Sequence, residues 1–63
     1  MLVAYEDLEF KIMDIPGDET RVGPYPIATR ADAVRIRDAA MAERPDVHWE
    51  IVGNGPWGVH GRL

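Results

Sequence analysis

From Leu8 onward apolar and polar residues alternate, with Leu8, Phe10 and Ile12 on one side and Glu9 and Lys11 on the other. A period of two with one apolar face predicts a half-buried strand. The preceding segment MLVAY is also strand-forming, so Leu2 to Ile15 reads either as one long bent strand or as two short ones. Pro16, Gly17 and Asp18 predict a turn, since proline presets the first central torsion and glycine accepts the positive one. A hairpin then carries the chain through Thr20 to Tyr25.

The period changes after Thr29. Thr29 with Asp32 three residues on is a capping-box pattern, in which the hydroxyl accepts an orphan amide and the carboxylate faces the positive end of a helix. Residues 30–44 contain no glycine, proline or aromatic residue, and Pro45 stops the run because the residue before proline avoids helical torsions. About four turns of helix are expected. Ala33, Ile36, Ala39 and Ala40 form one stripe at helical spacing and Val34 with Met41 another. The small residues of the first stripe let the helix lie close on a sheet.

Beyond Pro45, Val47, Trp49 and Ile51 alternate with His48, Glu50 and Val52, a further one-faced strand. Asn54-Gly55 predicts a two-residue type I′ hairpin turn, because both residues tolerate positive φ. A last strand follows with Trp57, Val59 and Leu63 on one side; Gly55, Gly58 and Gly61 weaken it, and a loose aromatic tail is the alternative. Together these elements predict one α+β domain over residues 1–63. It consists of an antiparallel sheet of three to four strands with one helix packed on one face, in the order ββαβ(β).

A chain of 63 residues buries only about 60% of the surface it exposes when unfolded. It has no cysteine, so neither a disulfide nor a thiolate metal site can staple it. Self-association as a homodimer is the remaining common staple. Composition is that of a folded domain, 46% hydrophobic and 29% charged. No apolar run reaches membrane-spanning length, and MLVAYEDLEF lacks the basic and apolar regions of an export signal, so a cytoplasmic, membrane-free protein is expected.

The net charge of −4 argues against general binding to nucleic acid. The first nineteen residues carry Glu6, Asp7, Glu9, Asp14, Asp18 and Glu19 against Lys11 alone, and six of the seven basic residues are arginine. Glu6, Asp7 and Glu9 read as a solvated edge, with Lys11 and Glu9 discouraging pairing with other sheets, or as a phosphate mimic that occupies a nucleic-acid enzyme. Chemistry is sparse. There is no cysteine or serine nucleophile, and no glycine-rich loop precedes a helix in a phosphate-binding context, so no enzyme and no cofactor are expected. His48 and His60 lie on the polar side of the last hairpin with Glu50 nearby, but without metal-ligand spacing, so no metal is expected.

Arg30, Arg37 and Arg44 are spaced seven apart along one line of the helix. Their stems can border the core while the guanidinium groups reach water; the functional alternative is a basic ridge for an acidic partner. Tyr25 between two prolines and Trp57 after a proline are stiffened aromatics of the kind that anchor interfaces. Trp49, inside a strand, reads as core. Tyr25, Arg30, Arg37, Arg44 and Trp57 are therefore the candidate binding residues.

The run RVGPYPIATRADAVRIRDAA, from Arg21 to Ala40, resembles half of a SPOR domain, the glycan-binding module of bacterial cell-division proteins. In that family a strand ending in Arg-Val-Gly-Pro-Phe leads through a short loop into a helix and a further strand. The resemblance implies peptidoglycan binding and two strand-helix-strand units, whereas one helix is visible here. A two-fold dimer would rebuild a two-helix sheet. The same opening also looks like that of small proteins of actinobacteria and their phages. The sequence is thus read as a non-catalytic module that binds another protein, a phage or accessory product acting on a host protein. The alternatives are a SPOR-like carbohydrate binder and an acidic mimic.

Overall fold

The structure, a computed structural model, describes every residue except Glu6, Pro16, Pro24, Tyr25 and Pro26, and every described side chain except that of Tyr5. It is an α+β fold of five antiparallel strands and one helix. The elements are β1 (Leu2–Tyr5), β2 (Leu8–Ile15), β3 (Glu19–Gly23), α1 (Arg30–Glu43), β4 (His48–Gly53) and β5 (Trp57–Arg62), with strand order β1-β2-β3-β5-β4. Three to four strands were expected. The fifth arises because the amino-terminal stretch reverses on itself, with Asp7 in a turn and Tyr5 paired to Leu8.

The helix lies across one face of the sheet, against β1, β2, β4 and β5. Alternation places Val3, Phe10, Ile12, Val22, Trp49 and Val59 beneath it, and the helix contributes Ala33, Ile36, Ala39 and Ala40. Thr29 caps it as expected, its hydroxyl accepting from the Asp32 amide at 3.1 Å. At the other end Arg44 is the cap. Its φ of −130° and ψ of 75° are non-helical, as a residue preceding proline requires. The Arg44 carbonyl, which lies past the last intrahelical acceptor, receives the Val47 amide at 3.2 Å and the Trp49 indole N–H at 3.1 Å.

The β4–β5 hairpin is closed differently from the expected two-residue turn. The strands end at the pair Gly53↔Trp57, leaving Asn54, Gly55 and Pro56 as the loop, with positive φ at Gly53 and Gly55 and a cis peptide bond before Pro56. A type I′ turn centred on Asn54-Gly55 needs an N–H from residue 56 to close it, and proline has none. The last strand itself is present over Trp57–Arg62, and Leu63 lies outside it, exposed. The expected turn before β3 falls partly on Pro16, outside the described residues; Gly17 and Asp18 both have positive φ there.

Candidate functional site

Among the described residues no element packs on the face of the sheet away from α1. Cross-strand pairing places one row of side chains on it, Met13↔Arg21↔His60↔Glu50, running over β2, β3, β5 and β4. A second row is Ile15↔Glu19↔Arg62↔His48.

The ladder between β3 and β5 has three rungs and ends at Arg21↔His60, after which Trp57 pairs with Ile27 rather than with β3. A trough of about 410 Å³ opens at this fork, lined by Met13, Arg21, Val22, Val52, Val59 and His60. Val22 and Val59 turn their side chains into the core, so they contribute backbone to the floor, while Met13 and Val52 form apolar walls on β2 and β4. The next positions on the open face, Gly23 paired to Lys11 and Gly58 paired to Val52, carry no side chain. A Cβ at Gly23 would lie 2.8 Å from Met13 Cε, so the thioether occupies the space a side chain would take.

Arg21 reaches this trough from β3. Among the described residues it has no carboxylate within ion-pair distance, whereas Arg35 meets Asp7 at 2.6 Å, Arg37 meets Asp38 at 3.2 Å and Arg44 meets Asp14 at 3.2 Å and Asp46 at 3.8 Å. An unpaired guanidinium keeps all its planar donors for a carboxylate or phosphate.

The arginine line is accordingly not a bare ridge. Arg37 and Arg44 are each held by acids, and Arg44 lies past the helix; Arg30 stands exposed at the first helical position. Trp57 is half-buried at the start of β5, packed against the core, and its carbonyl accepts the Ile27 amide at 2.9 Å. Tyr25 lies outside the described residues. His60 stands opposite Glu50 and Arg21, and His48 opposite Arg62, so the two histidines are not a facing pair. Among the described residues no three His, Cys, Asp or Glu side chains are grouped to hold a metal ion. The Arg35 guanidinium, through its hydrogen bond and charge, holds the Asp7 carboxyl below the usual carboxylate value.

Sequence reasoning did not single out Met13, Arg21 and Val52 as a site. Alternation alone places Met13 opposite Ile12, and Arg21 between Thr20 and Val22, on the polar side. Their convergence needs the pairing of β3 with β5, which are separated by the helix and β4. Comparison with protein families, with curated proteins and with solved structures returns no match to this chain. The resemblance of Arg21 to Ala40 to half of a SPOR domain therefore stands on those residues alone.

Proposed function

We propose that the chain is a non-catalytic, cytoplasmic protein-binding module, a phage or accessory product that docks on a host protein through the open face of its sheet. The observation that carries this reading is the trough at the β3–β5 fork, where an arginine with no ion-pair partner among the described residues sits between apolar walls on the face away from α1. Such a combination of apolar surface and a few convergent polar groups is characteristic of binding sites. The open face carries Glu9, Glu19 and Glu50 against Lys11, Arg21 and Arg62, so it is balanced in a molecule of net charge −4 and does not repel an acidic partner. The helix offers less, because Arg37 and Arg44 already face acids. Asp7 and Asp14 are likewise engaged by Arg35 and Arg44, which favours this reading over a phosphate mimic.

A photo-crosslinking residue placed at Met13 is expected to trap a discrete protein adduct in the producing cell, and the same residue at Asp38 on the outer helix is expected to trap none. Equal adducts from both positions, or none from Met13, would remove the open face as the contact surface. Sedimentation with peptidoglycan, expected to leave the chain in the supernatant, separates this reading from glycan binding.

A further inference from the structure

The geometry points to the ligand of this trough. We propose that it recognises the carboxylate of an acidic side chain carried on an extended partner segment, with an apolar residue two positions to either side. The inference rests on the open face being the contact surface and specifies what that surface takes.

Arg21 supplies the charge. It is the last β3 residue paired to β5, it faces the trough beside His60, and among the described residues it lacks an acid of its own. A guanidinium presents two parallel N–H donors to a carboxylate, a geometry that lysine does not reproduce. The neighbouring acid on this row, Glu50, lies two strands away from Arg21, beyond His60. Glu19, two residues from Arg21 on the same face, stands opposite Arg62, and among the described residues no acid lines the trough.

The apolar walls supply the spacing. Adjacent strands lie about 4.8 Å apart, so Met13 on β2 and Val52 on β4 each stand roughly 7 Å to the side of the line between β3 and β5. Val52 is also displaced along its strand, being paired to Gly58 one step beyond the Glu50–His60 pair on that face. The two walls therefore lie at opposite ends of a diagonal through the trough. An extended chain places residues i−2, i and i+2 on one side at intervals of about 7 Å. With residue i over Arg21 and His60, its neighbours reach Met13 and Val52. The unbranched Met13, whose thioether fills the space beside Gly23, can repack around different apolar groups.

The experiment is a titration of the isotope-labelled full chain, followed by amide chemical shifts, with three heptapeptides, of which the first two are blocked at both ends. The first carries Leu, Glu and Leu at alternate positions with Ser between them. The second has Gln in place of Glu, and the third has Gln and a free carboxyl terminus. The first is expected to move the amides of Val22, Gly23, Gly58, Val59 and His60 saturably. The second should bind about tenfold more weakly, the size of one charge-assisted contact. In Arg21→Gln, with its other resonances unmoved, the first and second peptides should become equivalent, whereas Arg37→Gln should change nothing. Equal binding of the first two peptides to the wild-type trough would overturn the carboxylate assignment and leave the contact face standing. Tighter binding of the third than the first would reassign the carboxylate to a chain end and overturn the proposal as stated. No saturable shift at the trough with any peptide would overturn both the ligand and the face.

Discussion

Gly61 on β5 is paired directly with Trp49 on β4, and the two pack so closely that no side chain fits between them. A Cβ at Gly61 would lie 2.5 Å from Val47 Cγ1, 2.6 Å from Thr20 Oγ1 and 2.8 Å from Trp49 Cε3, all in buried residues. These neighbours cannot all give way. Gly61→Ala is therefore expected to destabilise the fold by about 1–3 kcal/mol through overpacking, read as a lower midpoint in urea with an unchanged slope. Wild-type stability in this variant would mean that the Trp49 ring is free to move aside.

Thr20, on the other side of Gly61, is 2% exposed, and among the described residues its hydroxyl has no hydrogen-bond partner. A buried unsatisfied hydroxyl costs roughly 1–3 kcal/mol of desolvation that nothing returns. Thr20→Val keeps the shape and the β-branching while removing the polar atom. It is expected to stabilise the chain by about 1 kcal/mol, seen as a raised urea midpoint; a lowered midpoint would show that the hydroxyl is bonded in solution.

These two positions mark the limit of what the sequence reveals. Alternation in β2 and β4 and the Thr29 cap are local patterns, and each led to the observed element: Phe10, Ile12 and Trp49 are buried, and Thr29 holds the Asp32 amide. Gly61, by contrast, reads as a weakness in a strand, because its role depends on Thr20 from β3 and on Val47 and Trp49 around the start of β4. The Asn54-Gly55 signal misled for a local reason, since Pro56 removes the donor that a two-residue turn requires. The candidate site was the least legible part. Arg21 has the same local pattern as any outward arginine on a strand. What distinguishes it is its place where β3 parts from β5, a consequence of tertiary pairing.

The Asp7–Arg35 pair joins the turn after β1 to the helix. The carboxyl of Asp7 is depressed in the folded state, chiefly by its hydrogen bond to Arg35. A depressed folded value means that the unfolded chain binds the proton more tightly. The stabilisation is thus complete above the ordinary carboxylate range and is lost as pH falls through the lowered folded value. In a side-chain carboxyl titration followed by NMR, Asp7 is expected to titrate below the ordinary aspartate value, and Arg35→Gln should raise it towards that value. An Asp7 midpoint unaffected by Arg35→Gln would show that the pair does not persist in solution.

The two arginines on the flank of the helix should differ in kind. Arg44 spans from the helix end to Asp14 on β2 and also lies 3.8 Å from Asp46, with its side chain 26% exposed, whereas Arg37 meets only Asp38, its neighbour in sequence. Arg44→Glu sets a third negative charge against two acids and removes a tie between helix and sheet. Part of that effect is screened by solvent, so a loss of about 1 kcal/mol is expected, smaller at high salt. Arg37→Glu breaks no tie between elements and is expected to stay within about 0.5 kcal/mol of wild type. Thermal melts at low and high ionic strength check both, and a salt-independent loss in Arg44→Glu would assign its role to packing of the aliphatic stem instead. Any basic ridge on this helix is therefore best probed with Arg30→Glu and Arg37→Glu, because a loss of binding in Arg44→Glu would confound contact with stability.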